Sequence, residues 1–183
     1  MESEVFAFDR TGLIHRFDSS VSDLVETGQF QFGSRVQTCL ADAISRRLYV
    51  LTGGLVMWVF DLTQPGLSMP RAVTTDQAQD ALHGLGLYGT EYVVTQSLGD
   101  HAFLVFGATD MALVARFRIE ADVPARLDGV TVSGGFAVTI QPLKNMPKGA
   151  LVAHDRYNRL PDEGPNLKVV DWRLIEKTIK RGN

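Results

Sequence analysis

The chain has 183 residues, a length that fits one domain or two small ones. Apolar residues make up 45%, enough for a sizeable core, while 18 basic against 21 acidic residues argue against a nucleic-acid or anionic-membrane binder. The single cysteine, Cys39, leaves no internal disulfide or CxxC metal site, and no apolar run is long enough to predict a membrane span.

The predicted elements are almost all strands. Short runs rich in Val, Phe, Tyr and Leu are separated by Gly, Asp, Asn and Pro, a pattern typical of strands joined by tight turns. Gly53-Gly54 and Gly134-Gly135 are interpreted as hairpin turns. One helix is predicted, from Trp172 to Lys180, with Asp171 as its cap. The strands are predicted at 4–8, 12–18, 28–33, 37–42, 46–52, 55–62, 71–75, 84–88, 91–96, 101–107, 113–119, 127–132, 135–141, 149–155 and 166–170.

The strands repeat with a period of about 45 residues. Thr38, Gly84 and Gly129 fall at matching places in successive units, 46 and 45 residues apart. A period of about 40–50 residues with four strands is typical of β-propeller blades. The sequence therefore predicts an all-β partial propeller in one domain, 1–183. It has three four-stranded blades, a three-stranded partial blade before them and a short C-terminal helix. A single β-sandwich is the alternative, although a sandwich does not require this spacing.

Several segments resemble the β-propeller phytases, the calcium-dependent alkaline 3-phytase family. Ala41-Asp42, Leu48-Tyr49 and Trp58-Val59-Phe60 match one blade of that family. The strongest match is MPKGALVAHDRYN followed by NLKVVDWRLIEK, and weaker matches are LHGLGLY, RFRI and LDGVTV. The resemblance covers about residues 4–180 and corresponds to the C-terminal half of a six-bladed family member.

The resemblance implies phosphomonoester hydrolysis of phytate with calcium. Family members hold several calcium ions, which gather the substrate's phosphates and activate a water, and calcium prefers six to eight oxygen ligands. By the resemblance, Asp128, Asp155 and Asn158 are the metal ligands. Arg10 falls where the family has a lysine that contacts phosphate, and Arg10, His83 and Asp128 are the candidate catalytic residues.

The inner-strand positions depart from the family pattern. Gln37 replaces one acid, Thr52 stands in an otherwise acid-rich turn, and His83 replaces a glutamate, so that only Asp128 remains. We therefore expect weak calcium binding and negligible phytate hydrolysis by this chain alone. The resemblance implies a secreted or periplasmic protein, but the start MESEVFAFDR lacks the features of a signal peptide, which leaves the compartment undetermined.

Three functional readings follow from these residues. In the first, the chain is a phytase-family domain that is active once a partner or further sequence completes its propeller. In the second, it is a non-catalytic propeller module that binds a protein or a polyanion such as a phytate-like phosphorylated molecule. In the third, it is a structural part of an assembly. The small number of carboxylates at the inner-strand positions favours the non-catalytic module. Because a partial ring leaves blade faces and strand edges open, we also predict a homodimer or a partner chain that completes the propeller.

Overall fold

The computed structural model describes residues 4–20, 23–131, 133–159 and 162–182, which form fourteen strands and one helix. The elements are β1 (Glu4–Phe8), β2 (Leu13–Asp18), β3 (Val25–Gln31), β4 (Thr38–Asp42), β5 (Arg47–Leu51), β6 (Val56–Asp61), β7 (Arg71–Thr74), β8 (Leu82–Tyr88), β9 (Tyr92–Ser97), β10 (Ala102–Gly107), β11 (Leu113–Phe117), β12 (Ser133–Thr139), β13 (Ala150–Asp155), β14 (Asn166–Asp171) and α1 (Trp172–Gly182). No helix among the described residues is long and apolar enough to cross a membrane.

The strands form four antiparallel sheets, and within each sheet the strands pair in chain order. Two sheets have four strands, β4 to β7 and β8 to β11, and two have three, β1 to β3 and β12 to β14. Such up-and-down sheets, following one another along the chain, are the blades of a propeller. The predicted all-β partial propeller with a short C-terminal helix is confirmed.

The last blade differs from the prediction in its strand count. It has three strands, because Leu127 forms only an isolated bridge with Asp122 and residues 128–131 belong to no strand. The sequence predicts a strand at 127–132, whose last residue lies outside the described residues. Gly134-Gly135 is also not a hairpin turn; it lies inside β12, at a bulge between Ser133 and Phe136. A bulge places extra residues on one strand of the pair, and Gly135 takes a positive φ of 143° there. By contrast, Gly53-Gly54 does connect β5 to β6.

The chain divides into two compact units, Met1–Thr74 and Thr75–Asn183. In the first unit, Ile14, Leu48 and Phe60 are fully buried, and Phe30 packs edge-on against Phe60 at 5.2 Å between ring centroids. Aromatic pairs in this geometry add to the stabilisation from apolar burial. The organisation of the whole chain as one domain stays a prediction.

The core of the second unit lies between its two sheets and the helix. Phe103 of β10 meets Phe136 of β12 edge-on at 5.4 Å between centroids. One face of α1, formed by Trp172, Ile175 and Ile179, is buried in the same core, and the helix packs against β11 and β14. These residues are spaced three and four apart, so they form one apolar stripe along the helix.

The helix begins where the sequence predicts it. Asp171 Oδ1 accepts a hydrogen bond from the backbone N–H of Arg173 at 2.9 Å, which is the geometry of an N-cap. Hydrogen bonds from the Arg173 side chain and backbone lower the pKa of Asp171. Trp172 follows the cap and stacks on Tyr88 of β8, with ring centroids 3.7 Å apart, so the first turn of the helix is anchored to the neighbouring sheet.

Candidate functional site

Three residues that the resemblance assigns to calcium surround one ammonium group. Lys168 of β14 donates a hydrogen bond to Asp128 Oδ1 and another, 3.2 Å long, to Asn158 Oδ1. Its Nζ also lies 3.5 Å from Asp155 Oδ2. A lysine has three N–H donors and no acceptor, so three oxygens match it. The structure thus brings Asp128, Asp155 and Asn158 together, around a cation that the protein itself supplies.

This cluster, which we call the Lys168 cluster, is largely removed from water. The Asp155 side chain has no exposed surface, and those of Lys168 and Asp128 are each 11% exposed. Asp155 Oδ1 accepts from the Thr131 N–H at 3.4 Å, while its Oδ2 has no hydrogen-bond partner among the residues that the structure describes. Burial raises the pKa of Asp128, but hydrogen bonds from Lys168 and from the Arg159 N–H outweigh burial and lower it below the ordinary value.

The donor set of the Lys168 cluster does not fit calcium while Lys168 is present. Calcium needs six to eight oxygens at about 2.3–2.6 Å, and here the oxygens of Asp128 and Asn158 already accept from the ammonium. A divalent ion at the same place would also be repelled by the lysine charge. Within the described ranges, no group of three or more His, Cys, Asp or Glu is placed to hold a metal.

The other two candidate catalytic residues lie elsewhere. Arg10 is exposed in the turn between β1 and β2 of the first unit, beside Asp9, whose carboxylate accepts from the Thr11 and Leu13 N–H groups. His83 lies on β8 of the second unit, opposite Gln96 of β9. Within the described part of the chain, its Nδ1 is buried without a hydrogen-bond partner, as are both polar side-chain atoms of Gln96. His83 is thus half-buried in its sheet, and Asp128 belongs to the Lys168 cluster.

A second ion cluster lies within the first unit. Glu4 of β1 accepts hydrogen bonds from Arg16 and from Arg46, and the Arg46 Nη1–Oε2 distance is 2.9 Å. Arg16 also donates to the backbone carbonyls of Gln64 and Gly66, at 2.9 and 2.7 Å. These bonds tie the first sheet to the loop between β6 and β7, which indicates a structural role.

The two three-stranded sheets each have one poorly covered face. On the last sheet, Val152 pairs with Val169 and His154 with Leu167, and these side chains share the face opposite the core. Leu167 is 63% exposed and Val169 49%. We call this surface the β14 face, and it also includes Ala137 of β12.

The corresponding face of the first sheet is more mixed. Val5 pairs with Phe17 and Ala7 with His15, and Val5 is 41% exposed. His15 Nδ1 lies 2.9 Å from a carboxylate oxygen of Glu26. We call this surface the β1 face. It combines apolar side chains with one polar contact between His15 and Glu26.

The four-stranded sheet β8 to β11 is a blade whose two faces are both buried. On β9, residues 93–97 are all buried, and on β10 residues 102–106 are all buried, so both faces of this sheet are covered. On β14, in contrast, exposed and partly buried residues alternate. This alternation is typical of a sheet packed on one side only. The β14 face is therefore an apolar blade surface with no blade stacked on it among the described residues.

Comparisons with known proteins agree with this architecture. No protein-family model matches the chain, and neither does any curated protein. Among solved structures, a complex of BBS1N with ARL6DN matches with a TM-score of 0.63 and 9% identity, over 92% of this chain and 43% of that one. A mitotic checkpoint complex matches at 0.61 and 14%, over 90% and 45%, and the C-terminal WD40 domain of Sif2 at 0.60 and 8%, over 95% and 42%.

These identities show the fold alone. The chain is similar to WD40 and related propeller domains, and it spans less than half the length of the solved chains it matches. The likeness confirms the propeller architecture, while the phytase resemblance stays a prediction.

Sequence reasoning missed the residue at the centre of the site. Lys168 lies within NLKVVDWRLIEK, but the motif by itself does not assign it a role. The signal that could have revealed it is the alternation of apolar and polar residues along β14. Leu167 and Val169 are exposed and apolar, and Lys168 between them points inward. An inward-pointing charge on an edge strand needs a partner of opposite charge.

Proposed function

We propose that this chain is a non-catalytic propeller module whose function is protein binding. The observation that carries the proposal is the exposed apolar β14 face on the antiparallel sheet of the last blade. Exposed apolar sheet surface of this kind is typical of a site for another protein. A polyanion is less favoured as the ligand, because the chain has a net charge of −3.

The partner that we propose is a second copy of the chain, which would supply the next blade. Stacked blades bury their faces against each other, and a single blade cannot do so alone. Val169, Leu167 and Val152 offer aliphatic side chains at the spacing of a blade core. The β1 face offers Val5 and Phe17 in the same way. Two copies would then contribute eight blade sheets in place of the four in one chain.

Sedimentation velocity at micromolar concentration tests this proposal. We expect the wild-type chain to sediment as a dimer, and a Leu167→Lys, Val169→Lys variant to sediment as a monomer, because each lysine places a charge in the apolar contact. Met69→Lys is the matched control, since Met69 is 82% exposed and outside both faces. A wild-type chain that remains a monomer would refute the second copy as partner, and a β14-face variant that remains dimeric would refute the surface.

Phytate hydrolysis is the second candidate, and the convergence of Asp128, Asp155 and Asn158 favours a relationship with the phytases. The same convergence is the reason that we expect no activity, since the ammonium of Lys168 is bound by these oxygens. Phosphate release from phytate, with and without calcium, decides the question. Calcium-dependent release that is lost in Asp128→Ala would restore the enzyme hypothesis.

A further inference from the structure

The Lys168 cluster holds together three separate parts of the last blade. Asp128 comes from the segment before β12, Asp155 from the end of β13 and Asn158 from the loop that follows it. Asp128 Oδ2 also accepts a hydrogen bond from the backbone N–H of Arg159 at 2.6 Å. This bond holds the loop after β13 against the segment before β12. Asn158 is buried like Asp155. These segments converge on the ammonium of Lys168.

The charges of the cluster explain why a cation must be there. Two carboxylates lie around one largely buried ammonium, and a buried charge without a partner is strongly unfavourable. The one ammonium neutralises half of that charge, donates hydrogen bonds to Asp128 Oδ1 and Asn158 Oδ1, and lies 3.5 Å from Asp155 Oδ2. Among the described residues Asp155 Oδ2 accepts no hydrogen bond, and the Lys168 ammonium 3.5 Å away is the charge that compensates it.

We propose that Lys168 is a built-in cation that takes the place of a bound divalent metal ion in the last blade. With Lys168 present, the two carboxylates, the ammonium and a divalent ion would have a total charge of +1. The ion would also compete with the ammonium for the oxygens that accept its hydrogen bonds. With Lys168 replaced by a neutral side chain, two carboxylates and a divalent ion balance. The same oxygens, with water completing the shell, then form a calcium site of the type that hard oxygen ligands make.

Lys168→Met tests this proposal, because methionine has nearly the same length and no charge. We expect the variant without divalent ions to melt about 5–10 °C below the wild type, since it leaves two carboxylates unpaired. Millimolar calcium chloride should restore much of this loss, because a ligand that binds only the folded state stabilises it. The wild-type melting temperature should change with neither calcium nor EDTA.

Two matched variants separate the cluster from general effects. Lys144→Met removes an exposed lysine and should melt like the wild type with or without calcium. Lys168→Met combined with Asp128→Asn removes one ligand charge, and its response to calcium should be lost. A Lys168→Met variant that melts like the wild type, or that is destabilised and not rescued by calcium, would overturn the proposal. If Lys168→Met does not fold alone, refolding it with calcium, against magnesium and EDTA, gives the same decision.

A measurement on the unaltered protein is independent of any variant. Lys168 should react with an amine-acetylating reagent at least about tenfold more slowly than the exposed Lys144 and Lys177, because its ammonium is largely buried, donates hydrogen bonds to two oxygens and lies beside a second carboxylate. Mass spectrometry of the labelled peptides gives the acetylation rate of each of the three lysines. Equal rates at Lys168 and Lys144 would show that the ammonium is not held, and would overturn the proposal as well.

Discussion

Replacing Ile175 with alanine should destabilise the second unit by about 2–4 kcal/mol. Ile175 is 2% exposed, and it packs with Trp172 and Ile179 in the core beneath the helix. The substitution removes three buried carbons, each worth about 0.8 kcal/mol. The cavity that remains adds to this loss, and the higher helix propensity of alanine offsets only a few tenths of a kcal/mol.

The two tryptophans allow each unit to be followed separately. Trp58 lies in the first unit and Trp172 in the second. In a Trp58→Phe background, urea unfolding followed by fluorescence reports the environment of Trp172 alone. The free energies of unfolding of the Ile175→Ala variant and its parent then give the difference directly.

Leu174→Ala is the matched control on the same helix. Leu174 is adjacent to Ile175 in sequence but is 55% exposed, so its replacement should change the unfolding free energy by no more than about 0.5 kcal/mol. Equal effects of the two substitutions, or no effect of Ile175→Ala, would refute the packing of α1 described above.

Three further predictions follow from individual contacts. Glu4→Gln removes the negative charge that Arg16 and Arg46 bind, and should destabilise the first unit by about 2 kcal/mol in urea unfolding. Gly149→Ala should lower the melting temperature by several degrees more than Gly54→Ala, because Gly149 has a φ of 77° and a Cβ there would overlap a carbonyl oxygen of β12. The lowered pKa of Asp128 contributes stability above its ordinary value of 3.8, and this contribution should be lost as the pH falls below about 4; Asp128→Asn should remove that part of an acid-unfolding curve.

The blade pattern was predictable because it depends on local alternation. Strand runs and turns repeat at a fixed spacing, and the structure places blades where the spacing predicts them. The last blade shows the limit of such reasoning. Gly53-Gly54 and Gly134-Gly135 look alike in the sequence, but only the first joins two strands, while the second is a bulge inside β12. The pairing of β12 with β13, which no short segment reveals, decides between these outcomes.

The site was predictable in part, for a related reason. The resemblance selected Asp128, Asp155 and Asn158, and these do converge. Their common partner is Lys168, which is ten residues from the nearest of them in sequence. Its position follows from the register of β14 on β13, where Lys168 pairs with Ala153 on the core side. Register is a property of the whole sheet and is not visible in the motif.

Strand β14 contributes to the β14 face on one side and to the Lys168 cluster on the other. Leu167 and Val169 point away from the core and form the β14 face, whereas Lys168 between them points inward and holds two carboxylates. Because side chains alternate along a strand, these roles can be changed one at a time. Lysines at Leu167 and Val169 should prevent dimer formation and leave the melting temperature insensitive to calcium. Lys168→Met with calcium should keep the dimer. If either variant alters both properties, the β14 face and the Lys168 cluster act as one unit, and the strand does not separate assembly from internal charge balance.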